Sequence, residues 1–523
     1  MTDDRAGPSE ATGSSTPPGT ESLWLATTPA TDYPSLDGDR RVDVVVVGGG
    51  ITGLTAAVRL VEAGRSVAVL EADRVAAGVT GRTTAKVTSQ HGLVYARLVD
   101  AFGPERARQY AEANESAIDE IAARVQEEGI DCAFERRPAY TYATSTEDAR
   151  AVREEVEAAR ALGLSASYTE STELPFEVEA AVRFDDQAQF HPREYLLSIA
   201  ASIDGHDSDS GEDDGDGHVF EETRVTDVDP GSPCRVETPH GEVVADDVFV
   251  ASHFPVLDRA GYFARMHPKA AYLLAVRLER SPPDGMYIST DEPPRTMRTH
   301  PTDDGSLLLV GGEGHPPGEG STAERYRRCE AFAREHFAVE EVVYRWSTHD
   351  HYPVDGVPFV GSLGPLAENV YVGTSFGGWG MSGGTAAGMI LSDLVVEGSS
   401  PWSEVFDPLR FTPVASARSF VRENASVGAR FFGDRLEALL AGDDVPARGE
   451  ADVFRRDGES VGVFRDDEGT VHAVSAVCPH MKCLVRWNDA ERTWDCPCHG
   501  SRFTYEGDVL SGPSVLGLPN RRP

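Results

Sequence analysis

VDVVVVGGGITG, residues 42–53, is the stretch of sequence that decides the fold. Its apolar, β-branched first half predicts a buried strand, and the apolar positions of residues 54–63 predict a helix directly after the glycines. A second short apolar run at residues 66–70 predicts another strand. Residues 41–73 therefore form a predicted β-α-β unit, which is the building block of a parallel sheet covered by helices.

The glycines of this unit satisfy the pattern G-x-G-x-x-G at the junction of strand and helix. Gly48 permits the tight turn, Gly50 lets the backbone approach a pyrophosphate at the helix N-terminus, and Gly53 allows close helix packing. Glu71 ends the next strand, 23 residues after Gly48, where its carboxylate can accept both ribose hydroxyls. A glycine-rich turn without a ligand is the alternative, and this context disfavours it.

The composition excludes some classes of function. The 523 residues carry 48 Lys and Arg against 86 Asp and Glu, a formal charge of −38, so the basic face that nucleic acid requires is not expected. Only Lys86, Lys269 and Lys482 are lysines, and such an acidic, lysine-poor surface is typical of a halophilic cytoplasm. No apolar run approaches the roughly 18 residues of a membrane span. Residues 1–22 lack signal-peptide features and are expected to be a disordered tail of a cytoplasmic protein.

The remaining pattern predicts several further elements. Residues 104–128 and 147–162 have helical periodicity, and strand-like runs at 219–250, 271–278, 286–289 and 306–310 predict an antiparallel substrate sheet beside the parallel one. The acidic stretch 203–218 is expected to be an exposed loop, because it lacks the glycine and terminal glutamate of a calcium loop. Prolines and irregular sequence make residues 401–449 a linker.

Two later segments favour FAD over NAD as the dinucleotide. Residues 78–85 (GVTGRTTA) supply small and hydroxyl side chains where the pyrophosphate and ribityl chain of a flavin would pass. A strand at 370–373 leads into a glycine-rich loop and a helix over 385–396. The N-terminus of that helix could lie against the flavin ring and stabilise its anionic reduced form.

The C-terminal cysteines and histidines form the most specific pattern in the chain. Cys478 and His480 are followed, after a gap that contains no other histidine, by Cys496 and His499. A Rieske [2Fe–2S] cluster takes two thiolates on one iron and two imidazoles on the other, so each of two loops must present one Cys and one His. Structural zinc bound by the same four side chains is the chemical alternative.

These motifs resemble known families. Residues 41–398 resemble the flavoprotein superfamily of D-amino-acid oxidase, glycine oxidase and sarcosine oxidase, and residues 450–523 resemble a respiratory Rieske domain. The first resemblance implies a set of FAD contacts: Gly48, Gly50, Gly53, Glu71, Arg82, Thr83, Thr84, Gly380 and Met381. The second implies a disulfide between Cys483 and Cys498, and a Ser501 hydroxyl that donates to cluster sulfur.

The resemblance also implies candidate catalytic residues. In the similar oxidases an arginine of the antiparallel sheet holds the substrate carboxylate. Arg298 is our choice over Arg295, because alternation places it among polar residues, although pairing with a surface acid is the competing interpretation. His349 is a second candidate, taken from the sequence pattern and not from the resemblance: His349 and His351 lie two apart in the stretch 344–352 and are expected to line the flavin site or to make structural hydrogen bonds, with metal ligation on a strand as the alternative.

The predicted fold is an α/β Rossmann-type FAD-binding domain with an α+β antiparallel-sheet substrate domain, followed by a small all-β Rieske domain. The oxidoreductase is expected over 23–400. Its FAD-binding parts are at about 41–128, 185–256 and 341–398, and its substrate parts are at about 129–184 and 257–340. Over residues 22–518 the chain resembles FAD oxidoreductases fused to a Rieske domain.

The predicted function is that of a dehydrogenase. We expect it to oxidise a small amine or amino acid and to pass electrons through the cluster to an external acceptor such as a ferredoxin or a quinone. A Rieske-type monooxygenase component is one alternative, but its mononuclear iron typically needs two histidines five residues apart, and none of the 15 histidines has such a partner. A non-catalytic electron-transfer or redox-sensing flavoprotein is the other.

Overall fold

The computed structural model describes residues 20–205, 216–256, 261–365, 367–412 and 445–522. Its helices are α1 (Leu23–Ala26), α2 (Ile51–Glu62), α3 (Tyr95–Phe102), α4 (Pro104–Glu128), α5 (Ala149–Ala161), α6 (Pro192–Asp204), α7 (Tyr262–Arg265), α8 (Thr322–His336), α9 (Gly380–Val396) and α10 (Ser403–Phe406). Helices α4 and α5 confirm the two predicted from periodicity.

The strands of the N-terminal part are β1 (Arg40–Val47), β2 (Val67–Leu70), β3 (Lys86–Val87), β4 (Glu135–Arg136), β5 (Ala139–Ala143), β6 (Ala166–Thr169), β7 (Ala180–Phe184), β8 (Ala188–Gln189), β9 (Gly217–Phe220), β10 (Asp227–Asp229), β11 (Cys234–Thr238), β12 (Gly241–Val250), β13 (Met266–Leu278), β14 (Met286–Ser289), β15 (Thr296–Thr302), β16 (Gly305–His315), β17 (Val339–Pro353), β18 (Phe359–Ser362) and β19 (Val370–Thr374). The C-terminal strands are β20 (Ala451–Arg456), β21 (Glu459–Arg465), β22 (Val471–Ser475), β23 (Arg486–Asn488), β24 (Thr493–Asp495), β25 (Arg502–Thr504) and β26 (Val509–Ser511).

The first sheet is the predicted parallel one. Strand β1 pairs in parallel with β2 on one side and with β12 on the other, and β12 continues in parallel to β19. Val44, Val45 and Val46 are all buried, because both faces of the sheet are covered: Val44 and Val46 pack with helices α2 and α9, and Val45 packs with residues such as Tyr262 of α7 and Phe359 of β18. The carboxyl ends of these strands therefore meet at one edge, where a dinucleotide binds in folds of this kind.

The second sheet has the order β17-β13-β16-β15-β14-β5-β7-β6. All its neighbours are antiparallel except β14 and β5, which pair in parallel. It carries Arg298 on β15 and His349 on β17. A third, small sheet has the order β3-β8-β4. Each of its strands lies in sequence between strands of the two larger sheets, and β3 includes Lys86.

Three expectations from the sequence need correction. The run 219–250 belongs to the parallel sheet, because its last strand pairs with β1, and an isolated antiparallel hairpin looks the same in sequence whichever sheet it joins. Residues 341–353 belong to the antiparallel sheet, because β17 pairs with β13 along its length. The predicted tail is too long, since Ser22 is buried and its hydroxyl caps α1.

The C-terminal domain is all-β, as expected, with one sheet of three strands, β20-β21-β22, and one of four, β23-β24-β25-β26. The rest of the predicted tail (1–19), most of the acidic loop (206–215) and most of the linker (413–444) lie outside the described residues. Within the described part of the chain, no helix has the length and apolarity to cross a membrane.

Candidate functional site

The glycine loop after β1 has the geometry that its sequence predicts. Gly48 has φ +112°, and a Cβ there would lie 2.6 Å from the carbonyl oxygen of Ala251. A Cβ on Gly53 would lie 2.0 Å from the carbonyl oxygen of Gly48, so α2 can begin here only if residue 53 is glycine. A Cβ on Gly50 would have one neighbour within 4 Å, Thr80 Oγ1 at 3.2 Å, so the loop backbone here is open to a ligand.

Glu71 lies at the end of β2, beside this loop. Its Oε2 accepts a hydrogen bond from the Gly49 amide at 2.7 Å, and its Oε1 accepts one from the Asp73 amide at 2.9 Å. Burial raises the pKa of its carboxyl group. A carboxylate has about four acceptor positions, so two oxygens that each accept one backbone bond can still accept ribose hydroxyls.

A cavity of about 1250 Å³ extends from the glycine loop across the molecule. It exceeds the roughly 300–1,000 Å³ of a pocket for one drug-sized ligand, which suits a dinucleotide together with a second molecule. Of the nine predicted FAD contacts, the ones that line it are Gly48, Gly50, Glu71, Arg82, Thr83, Thr84, Gly380 and Met381. Gly53 packs against the loop instead.

Two buried tryptophans hold the second predicted FAD loop in place. The indole of Trp24 donates to the carbonyl of Thr83 at 2.7 Å, and that of Trp346 donates to the carbonyl of Arg82 at 2.9 Å. Burial lowers the pKa of the Arg82 guanidinium, and the carboxylate of Glu491 from the C-terminal domain acts against this shift. Both domains therefore contribute charge at this loop.

The loop before α9 forms another wall of the cavity. The amide of Gly378 donates to the Asp350 carboxylate, and His253 Nε2 lies 3.2 Å from the other oxygen of that carboxylate. The rings of His91 and Trp379 stack with their centroids 4.9 Å apart. These contacts fix the N-terminus of α9, whose positive dipole end is presented to the cavity.

His349 lies where this cavity meets the C-terminal domain. It lines the cavity, and its Nε2 is 3.8 Å from Asp495 Oδ2 in that domain. Burial, with Arg502 nearby, lowers its pKa to about 3, so the imidazole is neutral at physiological pH. A direct role in the reaction stays a prediction.

Arg298 is 1% exposed and does not belong to the residues that line the cavity. Its Nη2 donates to the Phe190 carbonyl at 3.0 Å, and its guanidinium carbon lies 5.1 Å from the Trp24 ring centre. The alternative of a surface ion pair does not fit, because the side chain is buried. Direct contact of Arg298 with a substrate stays a prediction, and in this structure Lys86, whose pKa is affected by Arg298, is among the cations that border the cavity.

Sequence reasoning did not single out Lys86 as a site residue. It is 7% exposed, lines the cavity and lies on the two-residue strand β3. A strand that short has no readable alternation, so the direction of the side chain could not be inferred. The available signal was a lysine among small and hydroxyl residues in a chain that has three lysines.

The C-terminal domain brings the predicted cluster residues together on two loops. One loop is closed by the Cys478 amide, which donates to the Cys483 carbonyl at 2.9 Å, and the other by the Cys496 amide, which donates to the Ser501 carbonyl at 2.8 Å. Cys483 and Cys498 form a disulfide that joins the loops, as the Rieske resemblance implies.

The four predicted ligands fit a Rieske cluster. The thiols of Cys478 and Cys496 contact each other, and the hydrogen bond from Cys496 lowers the pKa of Cys478 to about 7. The rings of His480 and His499 lie on the two loops with centroids 5.0 Å apart. Nδ1 of His499 is buried and has no hydrogen-bond partner among the described residues. Two paired thiols and two paired imidazoles match the ligand set of [2Fe–2S].

The cluster end of this domain packs against the N-terminal oxidoreductase part, at β17, at α7 and at the loop after β12. The carbonyl of His499 accepts a hydrogen bond from His351 Nε2 at 3.0 Å, and the His499 ring bonds to the backbone of Phe263. A metal-binding histidine commonly donates its other ring N–H to a backbone carbonyl. The Phe254 ring lies 5.7 Å from the His480 ring and 5.3 Å from the His351 ring.

A buried polar network fixes the rest of this interface. The Arg502 guanidinium pairs with Glu491 and Asp495, and Tyr326 of α8 donates to Glu491 at 2.9 Å. The carboxylate of Asp489 accepts from the Thr322 amide at 2.8 Å. Arg502 and Glu491 also line the cavity, so the C-terminal domain forms part of its wall.

Comparison with known proteins agrees with both halves of the structure. The model of the FAD dependent oxidoreductase family matches residues 43–394, and the model of the Rieske [2Fe-2S] domain matches residues 437–520. A Bacillus subtilis (strain 168) protein named as a Rieske 2Fe-2S iron-sulfur protein, YhfW, is 35% identical over 501 residues, which cover 95% of this chain and 97% of the relative.

Solved structures share the fold of the N-terminal part. Glycine oxidase from Geobacillus kaustophilus has a TM-score of 0.56 at 18% identity, covering 71% of this chain and 99% of its own. L-amino acid deaminase from Proteus myxofaciens, solved in complex with anthranilate, has a TM-score of 0.57 at 16% identity, covering 75% of this chain and 96% of its own. At these identities the likeness is one of fold.

The cavity with its glycine loop suits FAD, and the two cysteine–histidine loops suit an iron–sulfur cluster rather than structural zinc. The cofactors are FAD and a Rieske [2Fe–2S] cluster. The chain belongs to the FAD dependent oxidoreductase family of D-amino-acid oxidase type, and it carries a C-terminal Rieske domain.

Proposed function

We propose that this enzyme is a dehydrogenase that oxidises a small amine or amino acid and passes the electrons through its Rieske cluster to an external one-electron acceptor. FAD, when bound, takes two electrons from an organic substrate and can return them singly, which a [2Fe–2S] centre requires. The rest of the proposal concerns what the chain's own residues do around the two cofactors.

The observation that carries the proposal is the row of polar contacts between the cluster loop and the flavin cavity. His351 donates to the carbonyl of His499, and its Nδ1 lies 3.3 Å from His253 Nε2. His253 lines the cavity and contacts Asp350, which binds the loop before α9. Close contacts of this kind support electron transfer within the chain, without a separate docking step.

An exposed part of the first cluster loop supports an external acceptor. On the first cluster loop, Met481 is 41% exposed, and Lys482 next to it is exposed as well. An acceptor such as a ferredoxin or a quinone can approach there while the second loop stays packed on the flavin-binding part. The acidic, lysine-poor composition favours a cytoplasmic, salt-adapted setting for this exchange.

The geometry gives less support to the alternatives. A monooxygenase component would need two histidines and a carboxylate around a mononuclear iron. In the described part of the chain, the group of three or more metal-binding side chains that lie together is Cys483, Cys496 and Cys498, two of which form the disulfide. A redox sensor without turnover would not need a cavity with room beside the flavin.

Anaerobic titration of the holoprotein with a panel of small amines and amino acids tests the proposal. We expect at least one compound to bleach the flavin absorbance and then to generate the EPR signal of a reduced Rieske cluster. A flavin that none of them bleaches would contradict the proposed substrate class and favour the redox sensor. Bleaching without a cluster signal would contradict the electron route.

A further inference from the structure

The segment before the first strand, residues 20–36, lies between the flavin cavity and solvent, and we call it the strap. Its residues that line the cavity are Thr20, Glu21, Leu25, Thr28 and Ala30. Of these, Glu21 and Ala30 are also exposed to solvent, as is Ala26 between them. On this side of the molecule, one layer of chain therefore separates the cavity from solvent.

The strap begins on the second predicted FAD loop. The Ser22 hydroxyl donates to the Gly81 carbonyl at 2.5 Å, and the Trp24 indole donates to the Thr83 carbonyl at 2.7 Å. The Trp24 ring is fully buried, and the Arg298 guanidinium lies over it. Opening of the strap at this end breaks two hydrogen bonds to the FAD loop and uncovers an aromatic ring, which is costly.

The middle of the strap is held by the start of α6. Thr27 Oγ1 lies 3.0 Å from His191 Nε2, and the Arg193 guanidinium donates to the Pro29 carbonyl at 2.8 Å. Arg193 also donates to the Thr28 hydroxyl. His191 and Arg193 are both buried, which keeps these hydrogen bonds away from competing water.

A third attachment follows β9, which pairs with β2 at the predicted ribose end of the cavity. The Thr31 hydroxyl and the Tyr33 amide both donate to the buried carboxylate of Glu221, the amide at 3.2 Å. The Leu36 amide donates to the Thr223 hydroxyl at 3.0 Å. The strap is thus attached at three places along the length of the cavity.

All three attachments join the strap to the protein and not to a cofactor, so they exist with or without FAD in the cavity. We propose that the strap is the gate through which FAD enters and leaves. The strap opens and closes in both states, and FAD passes while it is open. This inference goes beyond the proposed function, because it concerns the cofactor and holds for any substrate.

A gate has its own kinetic signature. Weakening one attachment raises the open fraction of the strap by the same factor in the FAD-free and the FAD-bound protein. The rate constants for FAD association and release then rise together, and the dissociation constant stays the same. A segment that only positioned the FAD loop would behave differently, since loss of a contact in the bound complex raises the release rate alone.

Thr27→Val tests the gate in the full, cluster-loaded chain. Valine has the shape of threonine without its hydroxyl, and Thr27 is not among the residues that line the cavity. Stopped-flow fluorescence measures FAD association with FAD-free protein. Release is measured by mixing the holoprotein with an excess of a second apoflavoprotein that captures free FAD. We expect both rate constants to rise by the same factor, roughly 2- to 12-fold for one hydrogen bond.

A second variant and a control make the comparison specific. Thr31→Val weakens the attachment at Glu221 and should raise both rate constants in the same way, and the double variant should show the product of the two factors. Thr169→Val removes a threonine hydroxyl that donates to the Ser171 carbonyl, outside the strap and the cavity wall. It should leave both rate constants unchanged.

Hydrogen exchange reports the opening itself. The amides of Leu25, Tyr33 and Leu36 donate to side-chain oxygens at separate places along the strap. In Thr27→Val these amides should exchange faster by one common factor, because the strap opens as a unit. Faster exchange confined to the residues next to position 27 would overturn the proposal.

Two kinetic outcomes would also overturn it. Faster release with unchanged association would mean that the strap only positions the FAD loop, and unchanged rate constants in both threonine variants would mean that FAD passes elsewhere. If Thr27→Val does not fold, Thr31→Val decides by the same criteria. The test measures the exchange of FAD and not turnover, so an amine panel that fails to bleach the flavin leaves its result intact.

Discussion

The two cofactor regions of this protein are built in opposite ways. The four predicted cluster ligands, the disulfide and Ser501 all lie between residues 478 and 501 on two loops. The wall of the flavin cavity comes from segments as distant as Gly48, Lys86, Thr296, Gly380 and Arg502. One site is local in sequence, and the other exists only after two sheets and a second domain have packed together.

This difference affects how well each site can be predicted from sequence and what a mutation in it does. A local site needs only its own loops, so its residues can be identified from spacing and its loss leaves the rest of the fold intact. A dispersed site such as the flavin cavity is lined by residues that also pack against other helices and strands, so a substitution there also alters packing. The predictions below test how far the two regions are independent, from the largest expected effect to the smallest.

The largest effect is expected from His499→Ala, which removes a predicted cluster ligand. The [2Fe–2S] cluster should be lost, as seen by the absence of its EPR signal and its iron, while FAD content stays near wild type. The reason is that FAD contacts lie in the other sheet system, and the loops keep the Cys483–Cys498 disulfide. His472→Ala, in the same domain and bonded to Asp466, is the control and should retain the cluster. Loss of both cofactors would show that the two regions are not independent.

The next largest effect is expected from Glu71→Ala in the glycine-loop region. The change removes the acceptor of the Gly49 and Asp73 amides and of the predicted ribose hydroxyls. Leaving one such group unpaired costs about 1–3 kcal/mol, or roughly 5- to 150-fold in FAD affinity. Fluorescence titration of the apoprotein with FAD measures this, and cluster content should not change. Glu222→Ala, at an exposed ion pair with Arg74, should bind FAD normally, and equal affinities in both variants would contradict the role of Glu71.

The elements that could be predicted from sequence are those whose signal is local. Helix α4 runs from Pro104 to Glu128 as its periodicity indicates, and the strand before the glycine loop ends at Val47. The cluster loops follow from four side chains and their spacing. In each case the local structure is decided by residues a few positions apart. They form the apolar face of a helix, the junction of a strand with a turn, or a loop that supplies cluster ligands.

The features that sequence reasoning missed depend on partners distant in the chain. The ammonium group of Lys86 is held in the cavity wall by Tyr287 and Thr296, which lie 201 and 210 residues later in the chain. His351 gained its role from the docking of His499, 148 residues later. The misassigned hairpin of β11 and β12 shows the same limit, because its hydrogen bonds to β1 and not its own pattern decide which sheet it joins.

A smaller effect is expected at the contact that links the two regions. His351→Leu removes the hydrogen bond to the His499 carbonyl, which is worth about 0.5–1.5 kcal/mol. If the docked arrangement carries the electrons, their transfer from reduced flavin to cluster should slow by roughly 2- to 12-fold. Stopped-flow absorbance with a substrate found in the amine panel follows flavin reduction and cluster reduction separately. Flavin reduction should keep its wild-type rate, and unchanged cluster reduction would exclude this contact from the route.

The smallest effect is expected from Ser501→Ala, which leaves both cofactors bound. The Ser501 hydroxyl accepts from the Ser514 amide at 3.0 Å and bonds to the thiol of the predicted ligand Cys478, so it can donate to a sulfur at the cluster. Hydrogen bonds to sulfur stabilise the reduced, more negative cluster and raise its potential. Losing one, at about 0.5–1.5 kcal/mol, should lower the potential by roughly 20–65 mV at 59 mV per tenfold change. Protein-film voltammetry measures the shift, and Ser501→Thr, which keeps the hydroxyl, should restore most of it. A cluster potential that is unchanged in the alanine variant would mean that the hydroxyl does not reach the cluster. If the flavin potential shifts as well, a change at the cluster site affects the flavin site across the interface at His499.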